Sequence, residues 1–152
     1  MTTVRPEPLD GPAGRALLAG FFAEGERVYG SGMADYRGPS ATPEELSPPT
    51  GAFLVAYIDD EPVGCGGLKR LSDEAVELKR LYVVPNLRNG GIARSLIAAL
   101  EDAARDIGYR VIRLDTGDKQ PAALHLFRSL GYQEIDDYNS NPHASYWFEK
   151  VL

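Results

Sequence analysis

The sequence predicts an α/β fold, a mixed and mostly antiparallel central sheet of about seven strands flanked by helices. Three observations predict it. Three adjacent β-prone segments between residues 51 and 84 are separated only by short polar turns. A strand, a long amphipathic helix and a second short strand then follow, the order of a parallel crossover. After a second helical stretch, two more β-prone segments close the chain.

Each element has its own signal. Thr2–Arg5 reads as a short first strand. Leu17, Leu18, Phe21, Phe22 and Val28 recur at helical spacing, and Gly30-Ser31-Gly32 breaks the helix. Gly38–Thr50 contains four prolines and reads as a surface loop with one helical turn near Pro43–Leu46. Gly51–Ile58, Val63–Leu71 and Ala75–Val84 are the three strands of an antiparallel meander, with turns at Asp59–Pro62 and Ser72–Glu74. Pro85 ends the third. A helix over about Gly91–Ile107 carries Ile92, Leu96, Ile97, Leu100, Ala104 and Ile107 on one face, and Gly108 stops it. Val111–Leu114 is a short strand. Pro121 opens a helix to about Leu130, with Ala122, Ala123, Leu126, Phe127 and Leu130 as its buried stripe and Gly131 at its end. Tyr132–Tyr138 and Ala144–Val151 are the last two strands.

At 152 residues the chain has the size of one domain, taken as residues 1–152, and can bury a core without disulfides or metals. One cysteine, Cys65, and two histidines cannot form a typical structural zinc site, so no metal is expected. No apolar run approaches the roughly 20 residues that span a bilayer, and the start lacks a signal-peptide pattern; the expected setting is a reducing cytoplasm, with no membrane partner. Twenty-two acidic against sixteen basic residues, a net charge of −6, argue against nucleic acid and weakly favour a cationic ligand.

The most informative segment is Leu81-Tyr82-Val83-Val84-Pro85-Asn86-Leu87-Arg88-Asn89-Gly90-Gly91-Ile92-Ala93. A strand enters a tight loop that opens a helix. The first amides of a helix lack internal partners, and with the helix dipole they form an anion site. Gly90 and Gly91 allow close approach, and Arg88 adds a positive charge. A phosphate or pyrophosphate is the expected guest. Neither a G-x-x-x-x-G-K-[ST] loop nor a G-x-G-x-x-G fingerprint is present.

Arg88-Asn89-Gly90-Gly91-Ile92-Ala93 resembles the [Q/R]-x-x-G-x-[G/A] motif of the Gcn5-related N-acetyltransferases. The strand ELKRLYVVP before it and the run QPAALHLFRSLGY, Gln120 to Tyr132, are similar to further parts of that family's pattern. The resemblance implies the family's acyl-CoA N-acyltransferase fold and an enzyme that uses acetyl-CoA as cosubstrate to acetylate a primary amine, a small molecule or a peptide, by direct attack on the thioester. It implies that the amides of Arg88, Asn89, Gly90, Gly91, Ile92 and Ala93 hold the pyrophosphate. It implies that the backbone of Leu81, Tyr82 and Val83 pairs with the pantetheine arm, and that Gln120 and Phe127 also border the cofactor. A homodimer is common in the family.

Glu77 lies eleven residues before Arg88, and in some family members a glutamate at this spacing is the general base. At ~3.3 Å per residue, Glu77 to Val83 spans about 20 Å, the reach of an extended pantetheine arm. The plainer reading is an ion pair with Lys79 or Arg80. A backbone N–H near Arg80 or Leu81 is the expected oxyanion donor. Where many members carry a tyrosine that protonates the leaving thiolate, this chain has Phe127, and His125, Ser129, Tyr132 and Tyr138 are nearby in sequence only. That departure keeps open a second reading, an acyl-CoA-binding regulatory module with little turnover. Cys65 reads as a small apolar strand residue. The acceptor is expected between the strand bearing Glu77 and the loop Tyr29–Tyr36.

Overall fold

The computed structural model describes residues 1–30 and 41–152. Its elements run β1 (Thr2–Pro6), α1 (Pro12–Tyr29), β2 (Ala52–Ile58), β3 (Glu61–Arg70), β4 (Ala75–Val83), α2 (Ile92–Ile107), β5 (Val111–Thr116), α3 (Pro121–Ser129), β6 (Gln133–Ile135) and β7 (Tyr146–Val151). The strands form one seven-stranded sheet in the order β1-β2-β3-β4-β5-β7-β6. All neighbours are antiparallel except β4 and β5, which are parallel and joined through α2. The predicted mixed sheet and meander are therefore present.

The period-2 alternation of the strands sends side chains to two cores. Val76, Leu78, Val83, Ile112, Leu114 and Phe148 pack with Ile92, Leu96, Ile97 and Leu100 of α2 on one face. Phe53, Val55, Tyr57 and Cys65 pack with Leu17 and Leu46 on the other. Leu46 reaches that core from a single turn whose start is a reciprocal cap: Thr42 N–H donates to Glu45 Oε1 at 2.9 Å, and Glu45 N–H to Thr42 Oγ1 at 3.2 Å. This is the turn expected near Pro43–Leu46.

Of the α1 residues at helical spacing only Leu17 is buried, and Phe22 is exposed. Three details differ from the sequence reading. In α3 only Phe127 is buried, because Ala123 and Leu126 face an open cleft and Ala122 is exposed beside it. The sixth strand is three residues long, not seven, because Asp137 Oδ1 accepts the backbone N–H groups of Asn139 and Ser140 and bends the chain away from the sheet. The seventh starts at Tyr146 instead of Ala144. Gly30 caps α1 with φ +85°, while Ser31, Gly32 and the expected acceptor loop from residue 31 to Tyr36 lie outside the described residues. No helix among the described residues is long and apolar enough to cross a membrane.

Candidate active site

β4 and β5 pair only over Ala75–Val111, Val76–Ile112 and Glu77–Arg113. Beyond Glu77 they diverge, so the backbone of Leu78–Val83 has no ladder partner on its β5 side. On its β3 side β4 is interrupted as well. Cys65 pairs with Tyr82 and Gly67 with Lys79, which leaves Arg80 and Leu81 together opposite Gly66. This bulge turns on Arg80, whose φ is +60°. The Cys65 thiol donates to the Arg80 carbonyl at 3.4 Å, and the Arg80 guanidinium sits 5.3 Å over the Phe22 ring of α1. Cys65 is fully buried, and desolvation pushes its thiol up to about 12, so it presents no reactive thiolate at neutral pH.

The divergence opens two adjoining cavities. The larger, about 690 Å³, lies between the C-terminal half of α1, the loop before α2 and the start of α3. Leu81, Tyr82, Val83, Arg88, Asn89, Gly91, Ile92, Ala93 and Gln120 all line it, as does His125; Gly90 does not. The smaller, about 190 Å³, runs deeper between β4 and β5, where Glu77, Lys79, Leu81 and Tyr82 meet Leu114, Asp115, Thr116, Gln120 and Phe127. Leu81, Tyr82, Gln120 and Ala123 border both, so the two form one path from the loop to Glu77.

The loop has the local chemistry of an anion cradle. Asn89 and Gly91 both have positive φ, +66° and +89°, and Gly91 caps α2. The first backbone bond of the helix is Ser95 N–H to Gly91 O at 3.0 Å, which leaves the amides before it without helical partners. A Cβ on Gly91 would meet nothing within 4 Å, so the space beside its Cα is open. Arg88 is held differently from a free phosphate donor. Its Nε donates to the Val83 carbonyl at 2.9 Å and its Nη2 to Glu24 of α1 at 2.5 Å, so it also clamps the loop to the end of β4.

Glu77 occupies the crotch of the fork and is 1% exposed. Its Oε2 accepts the Tyr138 hydroxyl at 2.5 Å and the Asn139 amide at 2.9 Å. Its Oε1 faces the Lys79 ammonium at 3.4 Å and has no closer donor among the described residues. The Asn139 nitrogen donates at 2.6 Å to Asp115 as well, Asn141 donates to both Asp115 oxygens at 3.2 Å, and the Trp147 indole donates to Asn139 Oδ1 at 2.9 Å. Burial pushes the Tyr138 hydroxyl far above its ordinary value, and the Glu77 charge pushes it further, so it stays a donor. Burial pulls the Lys79 amine down, against the opposing pull of Glu77.

Glu77 is thus the ion-pair partner of Lys79, the plainer of its two sequence readings, and it also lines the inner cavity. Tyr138, Asn139, Asp115 and Asn141 were not singled out as its setting, since contacts more than sixty residues apart leave no local signal. The other hydroxyls near Phe127 are engaged elsewhere: Tyr132 donates to Glu101 at 2.8 Å and Ser129 to the Leu126 carbonyl at 2.7 Å. Phe127 is buried edge-on against Tyr132, with ring centroids 5.4 Å apart.

A family model described as "Acetyltransferase (GNAT) family" matches residues 19–132. An IAA acetyltransferase from Azospirillum brasilense is 34% identical over 113 residues, covering 72% of this chain and 73% of that protein. A Klebsiella pneumoniae structure provisionally assigned as an acyl-CoA N-acyltransferase superposes with a TM-score of 0.79 at 28% identity, over 100% of this chain and 98% of that one. A GNAT family acetyltransferase from Elizabethkingia anophelis, solved with acetyl-CoA bound, shares the fold with a TM-score of 0.70 at 18% identity, over 99% and 98% of the two chains.

Proposed function

From the premise that the chain belongs to the acetyltransferase (GNAT) family, we propose that it moves an acetyl group from acetyl-CoA to a primary amine. The observation that carries this reading is the single path joining an amide-lined loop at Arg88–Ala93 to a buried carboxylate at Glu77, along a strand edge that no neighbour pairs. The fold neighbour with acetyl-CoA bound supports the choice of cosubstrate.

The residues present fit that molecule. The free amides before Ser95 suit a pyrophosphate. The unpaired backbone of Leu81–Val83 suits the amide-bearing pantetheine arm, which would add to β4 as an extra strand. Apolar Ala123, Leu126 and Phe127 cover the opposite wall beside Gln120. When bound, acetyl-CoA supplies the activated acyl group. Glu77 Oε1 takes the proton that an alkylammonium must lose, and the amine then attacks the thioester directly. The bulge at Arg80 and Leu81 supplies backbone N–H groups outside the β3 ladder, one of which stabilises the oxyanion. The acceptor enters from the face of β4 that carries Glu77 and Lys79.

The test is acetyl transfer to spermidine, L-lysine, tryptamine and kanamycin, with product identified by mass and released thiol counted. Native protein should yield an acetylated amine, and Glu77→Gln should yield it about 100-fold more slowly. Tight acetyl-CoA binding with no product from any amine would favour the second reading, a binding module, for which Phe127 is the observation.

A further inference from the structure

We propose that Lys79 is the general acid of the reaction, delivering its ammonium proton to the departing CoA sulfur. This rests on the acetyl-transfer reading above. By the family resemblance a tyrosine would be expected to supply that proton from position 127, and Phe127 has none to give. Among the other groups bordering the inner cavity, Thr116 donates its hydroxyl to Gln120 at 3.4 Å, the Arg80 guanidinium does not release a proton near neutral pH, and His143 enters from the segment before β7, not from the strand that borders the acyl path. The Tyr82 hydroxyl is turned onto α1, where a Cβ at Gly20 would lie 2.6 Å from it.

Lys79 is placed differently. It is 7% exposed, borders the same cavity as Leu81 and Phe127, and immediately precedes the bulge. Its ammonium is 3.4 Å from the oxygen of Glu77 that receives the substrate proton. The charges acting on it are Glu77 and Arg80 on β4 and Asp115 on β5, and Glu24 on α1 and His143 before β7 line the same cavity. Burial already weakens its hold on the proton, which favours donation to a thiolate.

The step balances. Glu77 takes one proton from the substrate ammonium and frees the nitrogen lone pair. The C–N bond forms, and the C–S bond breaks with its electron pair passing to sulfur. Lys79 protonates that sulfur, so CoA leaves as the thiol. The remaining surplus proton on nitrogen departs to water. Glu77 then returns its proton to the neutral Lys79 amine across the 3.4 Å contact, and the starting ion pair is restored.

The test compares native protein, Lys79→Arg and Lys79→Met, using acetyl-CoA and whichever of the four amines native protein acetylates. Arginine keeps the positive partner for Glu77 but does not release its proton. Lys79→Arg should keep the native melting temperature and acetyl-CoA affinity while kcat falls by about 100-fold. The native kcat should also decline at alkaline pH, below the ordinary lysine range, and Lys79→Arg should show no such limb. Lys79→Met should match the low kcat if it folds. Native kcat in Lys79→Arg, or the same alkaline limb in both proteins, would overturn the assignment while leaving the acetyl-transfer reading intact. Failure of native protein to acetylate any of the four amines would overturn both.

Discussion

At the scale of single residues, two carboxylates divide the cleft between them. Glu77 holds the inner end with one oxygen fully engaged by Tyr138 and Asn139 and the other facing Lys79. Removing its charge keeps the shape and loses the proton acceptor. Glu77→Gln is therefore expected to lower kcat by about 100-fold or more without changing the acetyl-CoA dissociation constant. An unaltered pH–rate profile in that variant would remove Glu77 from the mechanism. Glu24 borders both cavities and ties up Arg88. An anion there opposes an incoming phosphate and competes for the guanidinium. Glu24→Gln should tighten acetyl-CoA binding roughly three-fold at low ionic strength, with the gain fading as salt is added; isothermal titration at two salt concentrations reads it. Glu77 was singled out through the family resemblance and its spacing from Arg88, and Lys79 was one of two partners offered for it, the one that shares its face of the strand. Tyr138 and Asn139 were not legible as its partners. Tyr138 looked like part of a strand, and only the Asp137 turn swings it and Asn139 back onto Glu77.

At the scale of elements, the site is made by what β4 leaves unpaired. Its ladder with β5 stops at Glu77, and its ladder with β3 skips Arg80 and Leu81. Neither break can be read from an apolar, β-prone run, because pairing depends on partners far along the chain. The helix that follows was legible, since strand, Gly-Gly and amphipathic helix are all local patterns, but the 3-10 turn at Pro85–Leu87 and the Arg88 contacts to Val83 and Glu24 were not. Gly91 tests that loop. It adopts φ +89° with open space around it, so an added methyl meets no atom and only the backbone conformation is penalised. Gly91→Ala should cost about 1 kcal/mol and lower the melting temperature by roughly 2–4 °C. It should weaken acetyl-CoA binding as well, because relief of the strained φ would move the first amides of α2. Gly20 records a different constraint: α1 crosses so close to Tyr82 that a Cβ there would press on the ring hydroxyl. Gly20→Ala should therefore shift Tyr82 and disturb the cleft wall, seen as a raised acetyl-CoA dissociation constant.

At the scale of the whole molecule, one sheet with a core on each face holds α1, α2 and α3 around the mouth of the fork. The antiparallel meander and the parallel crossover followed from hydrophobic period and turn residues, whereas the place of β1 at one edge and of β7 between β5 and β6 did not, and the fold comparisons agree over nearly the whole chain. The short β6 and the half-open face of α3 did not follow. A helix face that lines a cleft carries the same apolar residues as one that lines a core. A net charge of −6 would favour a cationic acceptor only weakly and names none. The central claim is that this mouth binds acetyl-CoA. Its most direct test is a thermal-shift titration with acetyl-CoA, using ATP and NAD as controls. At about 100 times its dissociation constant a ligand adds about 2.7 kcal/mol, which for a chain of this size raises the melting temperature by roughly 5–10 °C. A rise with acetyl-CoA and none with NAD is the expected result. No shift at millimolar acetyl-CoA would contradict it, and the loop from Arg88 to Ala93 would then have lost its proposed ligand.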